Sequence, residues 1–451
     1  MKVFGFILRL AVIIALVLWL VERPGTAQIV WHDTVIESSA AVLILAVLVF
    51  AYLVLCIHRL LRFLIEGPRL WKLKRKINRL DEGQDALNKG LAAVARGMAS
   101  DAGREGVRAR KLLGQTPLTQ FLMAQAAALA GDHKAALSIY QAMTHDDPTS
   151  AVLGYRGLIT MALRQGRVDE VVRLCAQLEH TKIKVPWLHL VHLDVATRRK
   201  DWDSARAALE KARRDKLIAS PAAAQQDAVL LTASAAAALH DMRFDMALSY
   251  AEQACKQRPH WLAAVLILAQ AQMSKGHRRA ALRLIEKNWS QAAHPQLFKL
   301  YAKALDTSNA LELYKKIEHL TKNNVGNPYA LTALAESALA ADLWGESRKH
   351  LMALVKQGEA TRSTYQLLAN LERRSRGDEK AAAQWIAQGA LARSDPTWLC
   401  TVCGAAHDEW YASCPSCGAF DSIIWSTPGQ RQDERRLAAP SPAMLMLESI
   451  S

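Results

Sequence analysis

The sequence predicts a mainly α protein: two N-terminal transmembrane helices, an amphipathic connector helix, an α-solenoid of helical repeats and a small C-terminal metal ribbon. Three observations carry this reading. Residues 3–21 and 38–57 are the only long apolar runs. From about residue 117 to 396 the chain is rich in alanine and leucine, poor in strand-forming runs and self-similar. Four of the seven cysteines lie between Cys400 and Cys417, as two C-x-x-C pairs.

Residues 1–64 hold the two spans and a short connection. The second run, "SSAAVLILAVLVFAYLVLCI", has no charge over its length. At about 1.5 Å per residue, such a helix crosses a hydrocarbon core of about 30 Å. The first run, "VFGFILRLAVIIALVLWLV", carries Arg9 near its start, where a long side chain reaches the interface. The apolar part of a signal peptide is the alternative, but no small-residue cleavage pattern closes the run and a second span follows. Residues 22–37 contain one arginine, whereas residues 58–79 contain eight Lys or Arg. The positive-inside rule then places both termini in the cytoplasm. A reducing compartment also favours free thiolates over disulfides.

Charge agrees with that topology. The net charge is +15, and residues 58–111 hold fourteen Lys or Arg against six Asp or Glu. A basic patch beside a span suits anionic lipid headgroups. No nucleic-acid recognition motif accompanies it, so no nucleic-acid partner is expected. Residues 65–116 form the connector. There Leu73, Ile77, Leu80, Leu87, Leu91, Val94 and Met98 keep a three-and-four spacing and draw one apolar stripe on a helix. The stripe packs on the domain that follows or pairs with a partner helix.

Residues 117–396 repeat one plan: a turn, a small residue early in a second helix, then large apolar residues. Ala136, Ala205, Ala247, Ala281 and Ala382 mark one equivalent position, and Ala247 and Ala281 are 34 residues apart. This resembles the tetratricopeptide repeat family in plan. Gly131, Ala136, Tyr140 and Pro148 fit the first unit, Val171 replaces the small residue in the second, and the sixth has a shortened linker. About eight helical hairpins follow, stacked into a solenoid with a concave surface that binds a protein or peptide. The histidines at 133, 180, 189, 192, 240, 260 and 277 are scattered. Any of them could face a tetrapyrrole, although core or solvated histidines are commoner. Cofactor-binding residues and the binding of haem or porphyrin therefore stay undetermined.

Residues 397–426 contain Cys400, Cys403, Cys414 and Cys417, with ten residues between the pairs and Gly404 and Gly418 after them. A hairpin of this length gathers four thiolates in tetrahedral geometry. Glycine supplies the positive backbone angle where each knuckle curls around a sulfur. The site takes one structural metal ion; zinc is favoured, and iron accepts the same four sulfurs. Four protein ligands leave no position open for water or substrate. Residues 427–451 are polar and proline-punctuated, and disorder is expected there. No dinucleotide, phosphate-loop, serine-elbow or HExxH motif occurs, so no catalytic residue is assigned and no enzyme is expected.

Two spans, a basic helix and the repeats resemble the HemY family of bacterial inner-membrane proteins. The resemblance covers roughly residues 1–396 and is most specific before residue 110, where "RPGTAQIVWHDTVIESS", with Gly25, Trp31, Asp33 and Glu37, is similar to the family's element leading into the second span. The resemblance implies a non-catalytic scaffold supporting a late step of protohaem synthesis, with enzymes or intermediates of that pathway as partners. An unrelated flavin-dependent oxidase shares the name, and the missing dinucleotide fingerprint argues against that activity. The cysteine pairs resemble the rubredoxin-type tail of the LapB family, which implies the alternative of a regulatory adaptor in envelope or lipopolysaccharide assembly. Two spans where that family has one favour the first reading.

Overall fold

The computed structural model describes residues 26–428 other than 32, 33, 182 and 325. The span expected over residues 3–21 lies outside the described residues, as do all but the first two residues of the tail expected to be disordered over 427–451. The chain divides into two compact units, Met1–Ala126 and Ala127–Ser451.

In the first unit, β1 (Thr26–Trp31) and β2 (Thr34–Ser39) pair antiparallel, with Thr26 opposite Ser39. The strands use the β-branched residues Ile29, Val30, Val35 and Ile36, which favour a pleated backbone. Ser38 and Ser39, read from sequence as the start of a span, instead close β2, and the helix begins at Ala40. That helix, α1 (Ala40–Ala95), is continuous for 56 residues and joins what the sequence divides into span and connector. Among the described residues no helix is long and apolar enough to cross a membrane. The large apolar side chains described at the start of α1, from Val42 and Leu45 to Leu55 and Ile57, are exposed.

The connector stripe divides in two. Leu87 and Val94 are buried with Ala86 and Ala93 against Ala102 and Ala109 of α2 (Ala99–Leu113) and Leu122 of α3 (Pro117–Leu129). A Cβ at Gly90 would lie 2.5 Å from Leu122 Cδ2, so the bare backbone sets how closely α1 approaches α3. Leu73, Ile77 and Leu80 are exposed, beside exposed Lys74, Arg75, Lys76 and Arg79.

The second unit continues from the end of α3. It comprises α4 (His133–Met143), α5 (Pro148–Arg164), α6 (Val168–His180), α7 (Leu188–Arg199), α8 (Trp202–Arg214), α9 (Ser220–His240) and α10 (Phe244–Gln257). Then come α11 (Leu262–Ser274), α12 (Arg278–Trp289), α13 (Pro295–Leu305), α14 (Ala310–Thr321), α15 (Pro328–Ala340), α16 (Trp344–Gln357), α17 (Arg362–Arg376) and α18 (Glu379–Leu391). The helix starts are written locally. Asp132, Asp201 and Asp378 cap α4, α8 and α18 by accepting an amide three residues on. Asp147 and Asn327 cap α5 and α15 just ahead of Pro148 and Pro328. A side-chain acceptor satisfies an orphan helix donor, and proline at the first position has no amide to leave unpaired.

Four residues after each even-numbered helix's cap lies the position marked by small residues. Ala136, Ala205, Ala247, Ala281 and Ala382 are all 0% exposed there, as is Val171 in α6. In α16 the place belongs to Ser347, whose hydroxyl donates to the Ala335 carbonyl at 3.0 Å. In α14, the unit with the shortened linker, it holds the larger, partly buried Leu313. The odd-numbered helices touch in series, α9 with α11, α11 with α13, α13 with α15 and α15 with α17. This stacking of each pair on the next is the repeat architecture expected from the sequence. A large buried cluster joins Ile285 and Trp289 of α12 to Leu297 and Tyr301 of α13 and Ile317 of α14. Near the start of the array, a Cβ at Gly157 would lie 2.3 Å from the buried Tyr140 ring, which shows how closely α5 meets α4.

Candidate metal centre

After α18 the chain forms a three-stranded antiparallel sheet of β3 (Thr397–Cys400), β4 (Ala406–His407) and β5 (Ile423–Ser426), in the order β4-β3-β5. Two knuckles of the same design project from it. In the first, Gly404 donates its amide to the Cys400 carbonyl at 2.9 Å and Cys400 donates to the Ala405 carbonyl at 2.9 Å. In the second, Gly418 donates to Cys414 at 2.8 Å and Cys414 to Ala419 at 2.9 Å. Gly404 and Gly418 both have φ of +74°, a conformation that costs glycine little and other residues more.

The knuckles bring the Sγ atoms of Cys400, Cys403, Cys414 and Cys417 within 4.8 Å of one another. Cys400 and Cys417 sulfurs are 3.7 Å apart, and those of Cys403 and Cys414 are 3.8 Å apart. Metal–sulfur bonds of about 2.3 Å in a tetrahedron separate sulfurs by about 3.8 Å. All four cysteines are free thiols. Cys400 and Cys414 are buried, whereas Cys403 and Cys417 face solvent. Burial works against ionisation of Cys400, but hydrogen bonds from the Ser422 hydroxyl and the Val402 and Cys403 amides bring its thiol down to about 6. Burial and the neighbouring sulfurs push Cys417 up to about 12. Four thiolates at this spacing repel one another, and a divalent cation removes the repulsion. His407 Nε2 lies 3.4 Å from Cys414 Sγ, placed to orient a ligand from outside the first coordination shell. The four sulfurs thus can hold a metal ion.

The ribbon lies along the repeats. Ser413 Oγ donates to the Thr197 carbonyl in α7 at 3.3 Å. Trp398 Nε1 donates to Gln296 Oε1 in α13 at 3.1 Å, and Gln296 Nε2 donates to the Asp408 carbonyl at 3.0 Å. Trp425 Nε1 donates to the Tyr329 hydroxyl in α15 at 3.2 Å. Between these anchors, Ala412 packs with Val229 and Ala233 of α9, and Trp398 and Ile423 pack with Ala263 of α11. Trp410 meets Trp261 edge-on, with centroids 5.2 Å apart. Five successive odd-numbered helices therefore contribute to one seat. The geometry sets the ribbon on the face that these helices present.

Sequence patterning does not single out His294, which lies at the centre of this seat. It is 5% exposed, and its ring stands 4.4 Å from Trp425 and 5.9 Å from Tyr329. Its Nδ1 caps α13 by accepting from the Gln296 amide at 3.2 Å, and its Nε2 is buried without a partner. Burial lowers its pKa from 6.5 to about 3. The folded state thus binds this proton more weakly than the unfolded state. The sign follows: the stability is complete above about 6.5 and falls as pH drops toward 3, by about 1.4 kcal/mol per unit. His294→Asn keeps a capping acceptor and removes the titration. Urea unfolding between pH 7.5 and 4.5 should show a shallower loss of stability in the variant, with ligand-thiol protonation common to both proteins. Parallel pH slopes would refute this role for His294.

Residues 25–131 match the family model described as the HemY protein N-terminus, so this part of the chain is HemY-like, in agreement with the resemblance drawn from its sequence. The probable magnetosome protein Mms48 of Magnetospirillum gryphiswaldense is 27% identical over 180 residues, which are 40% of this chain and 40% of that protein. The match thus spans two fifths of the curated relative. Among solved structures, Naa15/Naa10 bound to HypK-THB aligns with 74% of this chain and 54% of its own, at 13% identity and a TM-score of 0.45. The pentatricopeptide repeat protein PPR10 from maize aligns with 68% and 44%, at 18% identity and a TM-score of 0.37.

Proposed function

We propose that the chain is a non-catalytic scaffold of the bacterial inner membrane that organises partner proteins on its helical repeats, in support of a late step of protohaem synthesis. The observation that carries the scaffold reading is the serial stacking of α9, α11, α13, α15 and α17, which builds an extended face. Extended faces of stacked repeats serve protein and peptide recognition. The HemY-like stretch over residues 25–131 supports the pathway assignment.

In this reading the apolar start of α1, from Ala40 to Ile57, forms a span, both termini are cytoplasmic, and its exposed large apolar side chains, Val42 and Leu45 to Ile57 among them, meet lipid. The basic groups Lys74, Arg75, Lys76 and Arg79 follow at the headgroup level. Cys400, Cys403, Cys414 and Cys417 bind one structural ion, zinc in preference to iron. Function arises from effective concentration: a membrane-held scaffold raises the encounter rate between a bound enzyme and its neighbour. An apolar, reactive tetrapyrrole gains from such handover. The test is purification of the full-length protein from native membranes, with mass spectrometry of its partners and absorption spectroscopy of the eluate. Haem-pathway enzymes, or a porphyrin band, support the proposal. A membrane protease or lipopolysaccharide enzymes without porphyrin would instead favour the LapB-like adaptor, which the joining of repeats to a four-cysteine ribbon also suits.

A further inference from the structure

We infer that the ribbon is a metal-dependent occupant of the repeats' own recognition face, and that loss of the ion releases it. The inference rests on the proposed metal centre and adds to it a coupling between metal occupancy and access to the seat.

The coupling follows from shared residues. Cys400 and Cys414 belong to the same buried cluster as Trp398 and Ile423 of the ribbon and Ala263 of α11. The atoms that would hold the ion and the side chains that hold the ribbon to the repeats thus form one packing unit. The ribbon's strands are only four, two and four residues long, too little sheet to keep Trp398, Trp410 and Trp425 in place once the knuckles open. The seat itself resembles an interaction surface. It is apolar at Val229, Ala233 and Ala263, and Gln296 and Tyr329 accept hydrogen bonds from two indole N–H groups. Buried aromatic anchors with satisfied donors are the usual core of a protein interface. Here the anchors come from the same chain, so a partner that needs this face competes with a tethered occupant. The solvent-facing Cys403 and Cys417 offer a chelator a route to the ion.

Linkage makes the effect reciprocal: if the ion favours docking, docking favours the ion by the same factor. The experiment uses the full-length protein in detergent, loaded with zinc, its metal content measured before and after EDTA treatment. Hydroxyl-radical labelling of Trp261 reports on the seat. Chelation should raise that labelling about five-fold or more, with return on adding zinc. Two variants leave the ligands in place: Ala233→Arg displaces the ribbon from the repeat side, and Trp410→Ser weakens it from the ribbon side. Both should bind zinc about five-fold more weakly or more, measured by equilibrium competition with EDTA, while retaining helical circular dichroism. Unchanged Trp261 labelling in protein shown to be metal-free would overturn the release and leave the metal centre standing. Variant zinc affinities equal to wild type, with Trp261 uncovered, would also overturn it. A full-length protein that takes up neither zinc nor iron would remove the metal reading, and the release with it.

Discussion

Cys400→Ser is expected to take the chain from one bound metal ion to none and to unfold the ribbon, while the helical repeats keep their helicity. Serine matches cysteine closely in size, so the packing of this 2% exposed side chain is barely altered; what is lost is the thiolate. Three remaining sulfurs leave the ion an open position. Structural zinc contributes on the order of 10–16 kcal/mol to the folding of small ribbons at neutral pH. That is as large as the whole stability of a typical domain, about 5–15 kcal/mol. A sheet of this size has no other source on that scale, because of the five buried residues in its cluster two are ligands, Cys400 and Cys414, and a third, Ala263, is borrowed from α11. Elemental analysis gives the metal content, and near-ultraviolet circular dichroism reports the packing of Trp398, Trp410 and Trp425. A variant that retained one equivalent of metal and the native near-ultraviolet spectrum would sink the assignment of Cys400 as a ligand. The absorption of the metal-loaded wild type settles the ion as well, since ferric tetrathiolate is coloured and zinc is silent.

Local features of the fold were legible in the sequence, and long-range ones were not. The cysteine pairs lie within eighteen residues, and glycine after each pair has a backbone reason. The buried small position could be read from Ala136 to Ala382 because helix crossings recur at one register. Ser347 went unseen in that series because a hydroxyl there needs the Ala335 carbonyl as acceptor, and sequence carries no record of that bond. The connector stripe misled for the same kind of reason. Periodicity marks Leu73 and Leu87 alike, but only the second half of the stripe meets α2, which returns alongside it. The ribbon's seat left least trace. Ser413 reaches Thr197 across 216 residues and Trp425 reaches Tyr329 across 96. Val229, Ala233 and Ala263 are ordinary apolar residues of a helix until the ribbon covers them.

Arg348→Ala should destabilise the C-terminal end of the repeats by about 3–5 kcal/mol at neutral pH. Arg348 of α16 reaches Glu372 of α17 with both terminal nitrogens, at 2.6 and 2.8 Å. Trp385 of α18 donates its indole N–H to the same carboxylate at 3.4 Å. One acidic group therefore ties three helices, and its side chain is 5% exposed. Without the guanidinium, a buried carboxylate keeps a single long donor, and the cost is that of stranding the charge rather than the net worth of the pair. Replacing both partners, as Arg348→Met with Glu372→Leu, strands nothing and should cost far less than either single change. The pH dependence carries the same signature. The Arg348 hydrogen bonds hold the Glu372 carboxyl below its ordinary 4.5, so the contribution is present above that value and is lost as pH falls through the lowered one. In Arg348→Ala burial dominates and raises that pKa, so at neutral pH the penalty is largest and acid relieves it as the carboxyl takes up a proton. Urea unfolding of wild type, both single variants and the double variant at pH 7 and pH 4.5 gives the coupling energy directly. Additive losses, or an Arg348→Ala loss that does not shrink at the lower pH, would show that Glu372 is not held as a buried charge.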